Sequence, residues 1–176
     1  MEDAEPDFTD FDAVFKTIRS VAFLTGVAGR VARQHHLVKD TILWEIERGE
    51  RLTAQEIAWA EAKRTELYHR MRQFIERHEF FVLPTTQVPP FDVNQPYPTA
   101  IDGVAMDTYI DWMKSCYYIS VVGNPAISVP CGFTPEGLPV GLQIVARHHD
   151  DWGLLQMAHA FEQETRVATR RPPVIS

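Results

Sequence analysis

Apolar residues recur at helical spacing early in the chain. Phe11, Val14, Phe15, Ile18, Val21 and Ala22 fall on one stripe and predict a helix opening at Thr9, weakened at Gly26 and Gly29. A second, short helix is predicted from Asp40 through Ile42, Leu43, Trp44 and Ile46, stopped near Gly49. The clearest helix follows. Thr53-Ala54-Gln55-Glu56 is a capping-box pattern, in which the Thr hydroxyl and the Glu carboxylate satisfy each other's backbone donors. Behind it Ile57, Ala60, Leu67, Met71, Phe74 and Ile75 form one stripe out to about His78. Such a helix is roughly 39 Å long at 1.5 Å per residue. Arg64 interrupts the stripe, a position where its aliphatic stem can lie along the core.

The pattern then changes. Phe80-Phe81-Val82-Leu83 is a short apolar run stopped by Pro84 and predicts a buried strand. Residues Pro84 to Pro98 hold five prolines, too many for helix or central strand. Long irregular loops inside compact domains are often functional, which marks this one. A helix with Tyr109, Trp112, Tyr117 and Tyr118 is predicted from Met106 to Ile119. The apolar runs Ala126 to Phe133 and Leu138 to Ala146 flank Thr134-Pro135-Glu136-Gly137, a turn pattern, and predict a hairpin. Asp150 and Asp151 offer an N-cap to a last helix with Leu154, Leu155, Ala158 and Phe161 inward. No repeat or linker-like shift divides the chain. The expectation is one domain over residues 1–176, with loose termini at 1–10 and 166–176.

Composition narrows the class. A chain of 176 residues can bury roughly 70% of its unfolded surface, enough for a core without disulfides or metals. The formal net charge of −7 gives no general attraction to nucleic acid or anionic membranes. Arg64, Arg70, Arg72 and Arg77 do cluster, but Glu61, Glu66 and Glu76 interleave them as on a solvated helix face. The two cysteines, Cys116 and Cys131, form no C-x-x-C unit or disulfide framework, so a reducing cytoplasm is the expected compartment. The N-terminus is acidic and lacks the apolar stretch of a signal peptide, and no run approaches a membrane span. The histidine pairs at 35–36 and 148–149 are adjacent and point different ways, so no metal site is expected.

One stretch carries a specific resemblance. Gly123-Asn124-Pro125-Ala126-Ile127-Ser128-Val129-Pro130-Cys131-Gly132-Phe133, followed by Gly137-Leu138-Pro139-Val140-Gly141-Leu142-Gln143, resembles the closing signature of the amidase-signature family, G-x-P-A-x-S-x-P-x-G joined to G-L-P-x-G-L-Q. Ala158 to Glu162 matches the A-x-x-x-E end of its following helix, and Leu83-Pro84-Thr85 its strand-and-loop P-T motif. The resemblance covers about Asp40 to Thr165. It implies an α/β fold, the C-terminal part of the amidase-signature fold, with a mixed, twisted sheet covered by helices. It also implies hydrolysis of carbon–nitrogen amide bonds, or movement of ammonia from glutamine as in the related glutamyl-tRNA(Gln) amidotransferases. In that chemistry one serine attacks, a second serine in a cis peptide shuttles the proton, and a lysine acts as base. No cofactor is implied.

The chain departs from that pattern at the chemistry itself. The nucleophile belongs to a loop of G-G-S-S-G-G-S type, and these 176 residues contain no G-G, S-S or S-G-G. Lys16, Lys39 and Lys63 stand in no such context. No catalytic residue is therefore carried over, and the expectation is the C-terminal wall of an active site, inactive alone. Ser128 reads as a strand serine, because no base motif accompanies it. Cys116 and Cys131 read as small buried apolar groups, with no signature of an activated thiol. By resemblance Thr85, Asp111, Trp112 and Cys131 face substrate, and loop anchoring and core packing compete for the same residues. Three settings fit. The chain is the C-terminal half of a truncated or split amidase; or it is a non-catalytic binding module on an amidase scaffold; or it works beside a separate N-terminal half. Expected partners are that half or a second copy covering an exposed apolar face, with a small amide bound only when the catalytic half is supplied, and no nucleic acid or membrane.

Overall fold

In the computed structural model, which describes residues 2–170, helix α1 runs from Phe11 to Gly26. A four-residue helix, α2, follows at Ala28–Val31. Helix α3 spans Asp40–Arg51 and α4 spans Ala54–Ile75. The described backbone groups into two compact units, residues 7–70 and residues 2–6 with 71–170, and the boundary falls inside α4.

In the first unit α1 packs on α3 through a polar seam. Phe11, Val14, Thr17 and Ser20 are the buried residues of α1, while Ile18 and Val21 are only half-buried and Ala22 is exposed. The predicted apolar stripe is thus displaced towards two hydroxyl residues. The reason lies on α3, where Glu45 is 2% exposed and needs donors. Its carboxylate accepts from Arg19 Nε at 2.8 Å and from Ser20 Oγ at 2.9 Å. Gly49 does not stop α3 as expected. It lies within the helix, where an added Cβ would stand 2.6 Å from the Ser20 carbonyl oxygen, so its glycine lets the two backbones approach. The capping box at Thr53 forms as predicted: Glu56 Oε2 accepts from the Thr53 N–H at 2.8 Å, and Thr53 Oγ1 accepts from the Glu56 N–H at 3.2 Å. Residues near the N-terminus are also held, since Arg70 Nη1 donates to the carbonyls of Asp7 and Thr9.

The second unit carries the sheet. Strands β1 (Phe81–Pro84), β4 (Ala126–Phe133) and β5 (Pro139–Val145) pair in the order β1-β5-β4. Strands β2 (Ala100–Ile101) and β3 (Val104–Ala105) form a separate small ribbon after the proline-rich passage, which the sequence pattern did not predict. The α/β class is as expected, and every strand pairing within the described residues is antiparallel. One face of the sheet is apolar: Val129 and Ile144, with Ile127, Leu142 and Val82, pack on Leu154 and Ala158 of helix α6 (Asp151–Thr165). Asp150 caps α6 by accepting from the Gly153 N–H at 3.1 Å. Leu155 is 52% exposed, not inward as expected, because Leu154 and Ala158, one turn apart, fill the contact with the sheet.

The helix expected over Met106–Ile119 begins later, as α5 over Lys114–Val122. Before it, Asp111–Met113 is a 3-10 turn. Asp111 Oδ2 accepts from both the N–H and the hydroxyl of Thr108, at 2.7 and 2.8 Å, a side-chain closure that competes with continuous helix. Helix α5 ends on Gly123, whose φ of 73° suits the left-handed cap and whose N–H returns to the Ile119 carbonyl. Asn124 Nδ2 then donates to the Ala146 carbonyl at 2.8 Å, and Ala146 N–H donates to the Pro125 carbonyl. The Gly-Asn-Pro run therefore ties the start of β4 to the end of β5. The hairpin turn at Thr134–Gly137 forms, with Gly137 at φ 84°. Of the expected C-terminal tail, Val167–Thr169 is a 3-10 turn, and residues 171–176 lie outside the described residues.

Candidate functional site

The sheet face opposite α6 holds the polar chemistry, and Thr85 is its junction. Directly after β1, the Thr85 N–H donates to the Gly141 carbonyl at 3.1 Å, extending the β1–β5 ladder by one residue. The Thr85 carbonyl accepts from Ser115 Oγ at 3.0 Å and from Cys116 Sγ at 2.8 Å, both on α5. Its side-chain Oγ1 lies 2.8 Å from Ser128 Oγ on β4. Gly141 sits beneath that pair, and an added Cβ there would stand 2.9 Å from each hydroxyl oxygen. The second glycine of the G-L-P-x-G-L-Q motif is thus a space requirement set by two side chains.

Neighbouring groups fix α5 over this face. Gln143, 8% exposed on β5, donates from Nε2 to the Ser115 carbonyl at 2.9 Å. Gln87, in the proline-rich passage, accepts from the Lys114 N–H at 2.8 Å and so satisfies an otherwise orphaned donor at the start of α5. Lys114 is a further lysine of the chain, and its neighbour Ser115 is engaged through its hydroxyl with Thr85.

The four residues expected to face substrate are placed differently from one another. Thr85 is half-buried with its hydroxyl on the exposed Ser128. Asp111 is 5% exposed, and its Oδ2 closes the Thr108 turn. Trp112 packs edge to face on Phe91 of the proline-rich passage, with centroids 5.4 Å apart. Its buried Nε1–H has no hydrogen-bond partner among the described residues. Cys131 is half-buried beside the bulge at Pro130/Gly132, with Sγ 3.5 Å from the Val140 carbonyl oxygen. Burial pushes the Cys116 thiol above its ordinary value, partly offset by a hydrogen bond with Ser115. That direction is opposite to the one an activated nucleophilic thiol needs. Sequence reasoning passed over Ser128, Ser115 and Gly141 as a group, since they lie on three separate elements. Their positions inside or beside a glycine-marked signature were the available signal.

The family model described as Amidase matches residues 26–155, which include all of these side chains. The chain belongs to the amidase family. An acylamidase of Rhodococcus erythropolis is 34% identical over 136 residues, covering 77% of this amidase-family chain and 28% of that protein. A glutamyl-tRNA(Gln) amidotransferase subunit of Thermodesulfovibrio yellowstonii is 35% identical over 113 residues, covering 64% of this chain and 22% of its own length. The chain therefore spans about a quarter of the curated relatives it matches. Among solved structures, a 6-aminohexanoate cyclic dimer hydrolase superposes with a TM-score of 0.78 at 22% identity, over 99% of this chain and 39% of that one. A bacterial aryl acylamidase of the amidase signature family gives 0.71 at 23%, over 94% and 36%. These likenesses show that the amidase-family chain has the fold of that family. Among the described residues no helix is long and apolar enough to cross a membrane, and no three His, Cys, Asp or Glu are grouped to hold a metal ion.

Proposed function

We propose that this chain is the C-terminal portion of an amidase-family hydrolase and supplies one wall of its substrate site. Hydrolysis of a carbon–nitrogen bond then needs a Ser-Ser-Lys loop from outside these 176 residues, in a soluble, cytoplasmic setting. The carrying observation is the Thr85 junction, where β1, β4, β5 and α5 meet on a solvent-accessible pair of hydroxyls. Amide hydrolysis through an acyl-enzyme requires an activated nucleophile and a base to orient it. Ser128 has a hydroxyl as its side-chain partner, and the Cys116 thiol is shifted away from reactivity. Within this reading Thr85 offers polar contact to substrate, Trp112 with Phe91 an aromatic wall, Asp111 a fixed turn, and Cys131 a soft surface behind the hairpin. The test is hydrolysis of a panel of aliphatic and aryl amides, with a covalent serine probe, by the pure chain alone and with a polypeptide carrying the loop. No turnover alone and turnover on addition is the expected result. Turnover by the chain alone, abolished by a point mutation, would overturn it.

A second reading, an interaction module on the same scaffold, is favoured by Trp152 and Leu155. They lie one turn apart on α6 and are 71% and 52% exposed. A second copy covering them would give a dimer by light scattering that Trp152→Gln returns to monomer. A wild-type monomer at high concentration removes this reading.

A further inference from the structure

We infer that the Thr85–Ser128 hydroxyl pair is a subsite for a carboxamide group, and that it distinguishes an amide from the corresponding carboxylate. The inference rests on the wall reading above and adds Ser128, its partner chemistry and a direction of selectivity.

The two oxygens are 2.8 Å apart, and either can donate to the other. Each hydroxyl carries one proton and two lone pairs. One proton lies in the bond between them. One proton and unoccupied lone pairs remain for an outside group. A carboxamide edge carries a carbonyl acceptor beside an N–H donor, so the pair can donate to its oxygen and accept from its nitrogen. A carboxylate carries acceptors alone. It can take the single remaining proton, and its second oxygen then faces a lone pair. The subsite therefore favours an amide substrate over an acid product by one satisfied hydrogen bond.

The geometry is held before any ligand arrives. Thr85 is fixed at its backbone by Gly141, Ser115 and Cys116. Ser128 is fixed by its register opposite Gln143 in the β4–β5 ladder. Gly141 leaves the space beneath them that any other residue would fill. Ser128 and its neighbours Ala126 and Pro130 on the same side of β4 are exposed, while Val129 turns into the core. A hydroxyl pair needed only for stability gains little at an exposed position, where water offers equivalent partners.

The experiment is a titration of the 15N-labelled chain, alone and with the polypeptide carrying the loop, with benzamide and with benzoate, followed at the backbone amides of Thr85, Ser128 and Gly141. Benzamide is expected to shift these signals, and benzoate to bind about fivefold to tenfold more weakly. Ser128→Ala and Thr85→Val are each expected to weaken benzamide by a similar factor, while Thr85→Ser, which keeps the hydroxyl, retains it. Equal binding of the two ligands, or benzamide binding unchanged by Ser128→Ala, would overturn the subsite. Benzamide shifts confined to Trp112 and Phe91 would overturn it while leaving the wall reading in place. No shift with either ligand would count against both.

Discussion

The two units of this chain place polar groups across their packed elements in opposite ways. In residues 7–70 the polar group is a buried carboxylate, Glu45, clasped by Arg19 and Ser20. In residues 71–170 it is a pair of neutral hydroxyls, the half-buried Thr85 and the exposed Ser128, on a sheet whose other face is apolar. Glu45 has no route back to water and must be satisfied, so its partners are structural. Thr85 and Ser128 could be satisfied by water, so their close placement over a glycine is not required for stability. A buried polar cluster reports how two helices fit, whereas an exposed, preorganised one is the better candidate for recognition.

The largest effect that could break this comparison is expected at Arg19. Arg19→Ala leaves the Glu45 carboxylate buried with one hydroxyl partner, and should cost about 3–5 kcal/mol in denaturant unfolding. Glu45→Ala should cost less, because Arg19 is 24% exposed and its charge can rehydrate. Equal losses would show that packing, not the buried charge, holds α1 on α3. In the sheet, Ile144→Ala should cost about 2–5 kcal/mol, since Ile144 is fully buried against α6. Gly49→Ala should cost about 1–3 kcal/mol by pushing α3 off the Ser20 carbonyl. Ser128→Ala sharpens the contrast, with an expected change within about 0.5 kcal/mol. A loss above roughly 2 kcal/mol there, the scale of a buried polar defect, would make the hydroxyl pair a structural device.

The smallest effect concerns pH. Hydrogen bonds from the Thr53 N–H and hydroxyl hold the Glu56 carboxyl below its ordinary value. A carboxyl lowered on folding stabilises the native state above its unfolded value, and that contribution is lost as pH falls through the folded one. Melting curves of wild type and Glu56→Ala should therefore differ near neutrality and converge in the acid range. A difference independent of pH would mean that the charged capping bond contributes nothing.

Several features were legible because their causes are local. The capping box needs residues three apart, and the hairpin turn four in a row. The stripe of α4 and the apolar run of β1 announced themselves through period alone. The misreadings have local causes too. The aromatic-rich stretch predicts a helix from Met106, but Asp111 turns its carboxylate to Thr108 and the helix starts only at Lys114. Gly49 looked like a helix stop because a glycine's neighbours across a helix contact are not written next to it.

What the sequence by itself determined is the main helices and the β4–β5 hairpin, the amidase-family signature between Gly123 and Gln143, and the absence of any G-G, S-S or S-G-G run among these 176 residues. Only the tertiary structure decided which polar groups meet. Arg19 reaches Glu45 across 26 positions, and Thr85 reaches Ser128 across 43. The second meeting depends on the β1-β5-β4 order and its register, in which a slip of one residue would turn Ser128 into the core and Val129 out of it. Periodicity specifies which face a side chain takes along its own strand. The partner it finds there is set by the pairing of strands far apart in the chain.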